Sequence, residues 1–420
     1  MKVVIDALNW IAGLGPMCMM PIIMFVIGLC MRVKLGTLIK CSITTGVGFA
    51  GVNLVINTFI SQVGPSVSAM VKRFGLHTDI MDVGWPARAA ATWAYPLAAV
   101  VVFVVLGLNV LMLFLKKTNC VMVDFWSYNH FIFTAAICYY ASNNVFIGLA
   151  AGVIDAIITF KLADWTQPIV EEAFGLPGVS FPTSNSICWA PLAYGLDKLY
   201  DHIPGLNKLH ADPESIQKKF GVLGEPLMIG TILGIAFGVL GGGTVADIMK
   251  VAMYTAMTMV LTPKMMQVLM EGLIPFADAI KEMLNKKFVG NNFHIGIDAA
   301  LTIANPSCIA VGILMVPITI VLAAVLPFNR LLPISDIAYM AMWLSAYPVA
   351  FSKGNVVRSL ISCVIFTCIM LFIATALAPV HTSLAVSGGY DLAGAKLVST
   401  EDAGTHLLSY LLSLISGLFH

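Results

Sequence analysis

Apolar residues come along this chain in long blocks, and polar ones gather in short Gly- and Pro-broken segments between or beside them. A helix needs about 20 apolar residues to cross the hydrocarbon layer of a membrane. Runs that meet or approach that length lie near 5–31, 41–60, 96–115, 125–141, 143–160, 226–243, 307–327, 337–351, 355–379 and 404–420. A weaker one lies near 248–262. The pattern predicts an all-α polytopic membrane protein with ten or eleven crossings, since barrel strands would alternate in polarity instead. The first run is too long for a signal-peptide core and has no small-residue cleavage site after it, so it is expected to stay as a helix. Between 264 and 294, Met265, Val268, Leu269, Leu273 and Phe276 recur at helical spacing, followed by Lys281, Glu282, Lys286 and Lys287. This reads as an amphipathic helix along the membrane surface, with a partner-docking surface as the alternative.

Composition agrees. Of 420 residues, 59% are hydrophobic and 11% charged, with a mean hydropathy of +0.91. That charge is too little to cover a water-soluble globule of this size. The net charge of +1, with no long basic tract, argues against a nucleic-acid partner. Arg32, Lys34 and Lys40 crowd the first short loop, and Lys116 and Lys117 follow a later span; the positive-inside bias puts both in the cytoplasm and the N-terminus outside. Nine cysteines are scattered without a C-x-x-C pair or metal-ligand spacing, so no metal, cofactor or disulfide framework is expected. Cys120, in a loop, is the one placed to react.

The two halves resemble each other weakly. Asp298 follows Asp82 by 216 residues, Asp336 follows Asp124 by 212, and Asn355 follows Asn144 by 211, each pair in a similar setting. Paired repeats with interrupted apolar segments point to a transporter site. The expected division is a first repeat over about 37–197, a hydrophilic connector over 198–225 and a second repeat over about 226–420.

Three polar constellations are candidates for the site. Gly84–Tyr95 is too broken to span and reads as a re-entrant turn; Trp85 and Trp93 suit sugar faces and Thr92 adds a hydroxyl, although an aromatic anchor at the interface explains them equally well. Ser180–Pro191 holds Thr183, Ser184, Asn185 and Ser186, four small polar residues that resemble the tip of a broken helix, or else a plain N-cap. Gly296–Ser307 carries Asp298, Thr302 and Asn305; an intramembrane carboxylate is favoured as a solute-binding or proton-accepting group over a cap. Glu225 opens a span in the same manner as Asp298, and His130 lies one turn into another, where a satisfied core histidine is the commoner case. Gly46-Val-Gly48-Phe-Ala-Gly51 matches a dinucleotide fingerprint but lies inside a span, where small-residue helix packing explains it better.

Met81-Asp82-Val83-Gly84-Trp85-Pro86, Val123-Asp124-Phe125-Trp126 with His130, Lys161–Trp165, Lys219-Phe220-Gly221 with Gly224-Glu225-Pro226, and Gly296-Ile297-Asp298 occur together in order. In these the chain resembles the galactitol-type IIC component of the bacterial phosphoenolpyruvate-dependent phosphotransferase system and, more distantly, the ascorbate IIC proteins. The resemblance implies one integral membrane domain over 1–420, a homodimer in the inner membrane, and a core domain with two re-entrant hairpins moving against a scaffold. It also implies a sugar or polyol solute phosphorylated by the phosphocysteine of a separate IIB protein, itself supplied by IIA, with Asp298 holding or deprotonating the accepting hydroxyl. Thr183-Ser184-Asn185-Ser186 stands where galactitol proteins carry His-Gly-Thr-Ser, Asn305 where a histidine often follows, and Arg88 where a small residue stands. The alternative is an ion-coupled secondary transporter, which repeats and intramembrane acids alone would also permit. An intramembrane enzyme is disfavoured, since no nucleophile–base set is visible.

Overall fold

Where the structure describes them, the apolar runs fold as helices, some far longer than the runs themselves. The computed structural model describes residues 16–418 except 31, 75–78, 85–87, 89–90, 93–94, 125–126, 207–210, 212–224, 288–292, 334–342, 388–391, 393–394 and 402–405. The first part holds α1 (Pro16–Cys30), α2 (Leu35–Arg73), β1 (Ile80–Asp82), α3 (Ala98–Phe114), β2 (Cys120–Met122), α4 (Tyr128–Ser142) and α5 (Val145–Phe174). β3 (Val179–Ser180), α6 (Ser184–Ile187), α7 (Ala190–His202), α8 (Pro226–Leu240) and α9 (Val245–Lys287) follow. The last part holds β4 (His294–Gly296), a 3-10 helix (Ala299–Ala304), α10 (Pro306–Val325), α11 (Ala346–Phe351), α12 (Val356–Ala376), α13 (Ala378–Ser387), β5 (Leu397–Ser399) and α14 (Leu407–Gly417).

Among the described residues, α5, α10 and α12 are long and apolar enough to cross a membrane, and Val100–Phe114, Gly230–Leu240 and Leu407–Gly417 are shorter apolar helices. Asparagines set several starts. Asn144, Asn305 and Asn355 each accept two backbone N–H bonds at the openings of α5, α10 and α12. A left-handed residue precedes two of these caps, Asn143 at φ 51° and Gly354 at φ 84°. Residues 143–145 and 354–356 are thus alike as capped helix starts.

Two groups of helices emerge. α9 lies along α2 and α8, with α1 on α2. α4 and α5 pair with each other and are joined by α3 and α14. The weaker run near 248–262 and most of the stretch read as an amphipathic helix form one helix, from Val245 to Lys287. Its amphipathic stripe covers α2 rather than lying free on a membrane surface. Phe276 is 1% exposed, and a Cβ built on Gly272 would stand 2.7 Å from the Cys41 carbonyl oxygen.

The chain is not wholly helical. β1 pairs in parallel with β5, Ile80 opposite Leu397 and Asp82 opposite Ser399. β4 lies between β2 and β3, all parallel, with Met122 and Ser180 both opposite Gly296. Stubs of two or three residues are too short to leave an alternating pattern in sequence.

Candidate functional site

Parallel strands end at the same edge, so the three stubs β2, β4 and β3 deliver the residues after them to one place. Those residues are Asp124, Asp298 and Thr183. Gly296 makes the close approach possible, since a Cβ there would stand 2.6 Å from Pro182 Cγ and 3.0 Å from Cys120 Sγ. Thr183 Oγ1 donates to Asp298 Oδ1 at 3.2 Å and accepts from Ala299 N at 2.9 Å, which ties β3's end to the start of the 3-10 helix. Ser127 Oγ donates to Asp124 Oδ2 at 2.6 Å and lies 3.4 Å from Thr183 Oγ1. Asp124 is buried, while Asp298 is only half-buried. A solute hydroxyl reaching Asp298 would meet a carboxylate that already holds the Thr183 hydroxyl.

The polar chain continues inward. Ser184 Oγ lies 3.1 Å from Thr159 Oγ1, Thr159 donates to Asp155 Oδ1 at 3.2 Å, and Thr134 donates to Asp155 Oδ2 at 2.6 Å. Asp155 is wholly buried between α4 and α5. Outward, His294 clamps the stubs: Nδ1 bonds to Ser180 Oγ at 2.8 Å and Nε2 to Asp164 Oδ1 at 3.0 Å. Asp164 also accepts from Thr118 Oγ1 at 3.0 Å and Asn119 N at 2.8 Å, which fixes the loop leading to β2. The Asp164–His294–Ser180 order resembles a hydrolytic triad. Ser180 is wholly buried, however, with its oxygen 3.6 Å from Cys120 Sγ, so it works as a brace. Cys120 is wholly buried too, contrary to the reactive role open to it in a loop.

The other expected residues scatter. Ser186 donates to Trp343 O at 3.3 Å and Asn185 is buried beside it, so the tip 183–186 serves both the cluster and its support. Thr92 donates to Arg88 O at 2.8 Å within its own turn. Trp85 and Trp93 lie outside the described residues. Glu225 occupies the N-cap position of α8 without capping it through its side chain, on a helix packed against α9, α2 and α10. Asn305 caps α10 and lines a separate cavity of about 360 Å³ with Asp197, Lys198 and Lys353. His130, 6% exposed, belongs to a different cluster around Arg88.

Sequence reasoning missed His294 and Ser127, and it placed Asp164 in a motif without a role. His294 carries a signal in hindsight, two residues before Gly296, but it falls at the tail of the segment read as amphipathic helix.

A family model described as the PTS system sugar-specific permease component, EIIC-GAT, matches residues 10–393. The chain is 34% identical over 411 residues to the PTS system galactitol-specific EIIC component of Escherichia coli strain K12, covering 98% of this chain and 91% of that protein. The protein of the same name from Escherichia coli O157:H7 matches with the same identity and coverage. With membrane-length apolar helices in the fold and a match along nearly its whole length, this chain belongs to the EIIC-GAT family, the membrane-embedded sugar-specific permease components of the phosphotransferase system.

Proposed function

We propose that this chain carries a galactitol-like polyol or a related sugar across the bacterial inner membrane and presents it for phosphorylation at the cytoplasmic face. The observation that carries the reading is the half-buried Asp298 carboxylate, held by Thr183 where the β2 and β3 ends also meet. In the coupled step, a solute hydroxyl attacks the phosphorus of a phosphocysteine on a separate IIB protein, previously charged through IIA. The new O–P bond replaces the S–P bond, the cysteine leaves as thiolate, and the hydroxyl proton passes to Asp298. The chain itself supplies position and a base, each a recognised source of rate.

Movement of one helix group against the other fits an elevator-type exchange of access. The group built on α4 and α5 holds the polar cluster and would travel; the group of α1, α2, α8 and α9 would serve as scaffold and dimer contact. Two re-entrant hairpins, around Gly84–Tyr95 and Gly296–Ser307, would carry the broken segments.

The test is solute uptake in vesicles with purified IIA and IIB and the soluble carrier proteins that pass phosphate from phosphoenolpyruvate to IIA. Phosphorylated solute should accumulate only with IIB and phosphoenolpyruvate, and Asp298→Asn should abolish it. Uptake driven by a proton or sodium gradient without IIB would replace this reading with ion-coupled transport. Full phosphorylation by Asp298→Asn would remove Asp298 from its role.

A further inference from the structure

Behind Asp298, two hydroxyls lead to a second carboxylate. Thr183 Oγ1 accepts from Ala299 N at 2.9 Å and gives its one proton to Asp298 Oδ1 at 3.2 Å. The amide bond fixes where that oxygen sits, and a hydroxyl with one proton and two lone pairs has one lone pair left. Ser127 Oγ stands 3.4 Å from the same oxygen. Ser127 occupies the N-cap position of α4, yet its side chain makes no capping bond. Its proton goes instead to Asp124 Oδ2 at 2.6 Å, and that oxygen also accepts from Ser127 N at 3.3 Å. Asp124, Ser127 and Thr183 are all buried, so bulk water does not compete for these bonds.

Closing the start of α4 accounts for the bond from Ser127 N. It does not account for the bond from the hydroxyl, which is much the shorter of the two. The consequence of that bond is directional. An ionised carboxylate accepts only, so Asp124 takes the Ser127 proton and leaves the Ser127 oxygen facing Thr183 as an acceptor. Thr183 thus has two acceptors within reach for one proton. While Asp298 is ionised, its charge makes it the stronger of them.

Phosphoryl transfer changes that balance. As the new O–P bond forms, the solute O–H bond breaks and its proton forms an O–H bond on Asp298. Placed on Oδ1, this proton removes the charge that held the Thr183 hydroxyl. The Thr183 O–H bond stays intact and turns to Ser127 Oγ, while the remaining lone pair faces Asp298. The Ala299 bond keeps the oxygen in place, so only a hydrogen swings. Without the second acceptor, the buried Thr183 donor would be stranded once Asp298 took its proton. That cost would fall on the protonated form alone and weaken the base in the step that needs it.

We infer that Ser127 and Asp124 are positioning residues for phosphoryl transfer: Asp124 orients Ser127, and Ser127 receives the Thr183 hydrogen when Asp298 is protonated. This rests on the permease reading above, with Asp298 as the base.

The experiment uses the purified full chain as wild type, Ser127→Ala, Ser127→Cys and Asp124→Asn. It compares calorimetric binding of galactitol with single-turnover phosphorylation of galactitol by IIB charged beforehand. Galactitol binds while Asp298 is ionised, so affinity in the Ser127 variants should stay within about twofold of wild type. The rate at saturating galactitol should fall roughly tenfold in both. Cysteine nearly fills the space of serine, but its sulfur is a weak acceptor. A wild-type rate in Ser127→Cys would therefore mean that Ser127 only packs, and it overturns the inference, as does an unchanged rate in Ser127→Ala. A loss of affinity matching the loss of rate overturns it as well, since Ser127 would then serve solute binding. Asp124→Asn keeps an acceptor for the Ser127 proton and should retain more of the rate than Ser127→Ala; a larger loss overturns the orienting role of Asp124. Should Ser127→Ala fail to fold, Ser127→Cys decides by the same two measurements. These outcomes leave the permease reading standing, which Asp298→Asn tests by itself. A wild-type chain that neither binds nor phosphorylates galactitol overturns the polyol reading and this inference with it.

Discussion

Two seams of this molecule are buried by opposite means. Where α8 meets α9, backbone touches backbone: Cβ atoms built on Gly230, Gly234 and Gly238 would stand 2.8, 2.4 and 2.8 Å from the Cα atoms of Ala256, Ala252 and Ile248. Where α5 meets α4, the contact starts in the same way, with Gly148 and Gly152 against the carbonyls of Ala135 and Phe131. It then changes character at Asp155, whose carboxylate gathers Thr134 and Thr159. Lipid tails are as apolar as leucine, so helices in a membrane associate through close packing or interhelical hydrogen bonds rather than hydrophobic drive. The glycine seam uses the first means. The polar seam uses the second and runs into the Asp298 cluster. Under the proposed function, packing and solute binding are separate at the first seam and shared at the second.

The most direct way to break this contrast is Asp155→Leu. It strands the Thr134 hydroxyl at a cost of about 1–3 kcal/mol and leaves the Thr159 hydroxyl with Ser184 alone, and should sharply lower the unfolding midpoint in detergent together with solute binding. Asp155→Asn, which keeps an acceptor, should lose much less. Gly234→Leu should cost about 1–3 kcal/mol through overpacking, read by the same melt, with solute affinity unchanged in the fraction that stays folded. A loss of affinity there would show that the glycine seam is coupled to the site. His294→Ala should cost about 1 kcal/mol by loosening the stubs, and should lower the phosphorylation rate more than the apparent affinity.

The smallest effect is expected at Asp79. Arg330 Nε donates to its Oδ1 at 2.7 Å, and this bond holds the carboxyl below its ordinary range. A depressed carboxylate contributes stability above its unfolded pKa and loses it as pH falls through the folded one. Both partners are exposed, and exposed pairs contribute little. Asp79→Asn should therefore lower the neutral-pH melt only slightly and leave the melt unchanged at pH below the folded pKa. A shift as large as that of Asp155→Leu would mean that exposed charge, rather than buried polarity, stabilises the fold.

The helices were legible because each apolar run is a local property of consecutive residues. Thr183 and Asp298 were legible as candidates because hydroxyls and a carboxylate stand out in an apolar setting, and the structure does bring those two together. Glu225 and Asn305 carry the same outward signal, a polar residue just before a span, yet the fold uses Asn305 as a cap and sets Glu225 on another helix group. The same dipeptide chemistry serves capping and solute contact, so no local pattern separates them.

What the sequence determined by itself is a helical membrane protein, its family, and a short roster of polar positions. What the tertiary structure decided is which of those positions meet. His294 reaches Asp164 and Arg88 reaches Asn129 across long stretches of chain. Thr183 finds Asp298 because two stubs pair through Gly296. The register of such short strands is set by backbone hydrogen bonds between distant segments and by one residue without a Cβ, and neither depends on the order of hydrophobic and polar side chains.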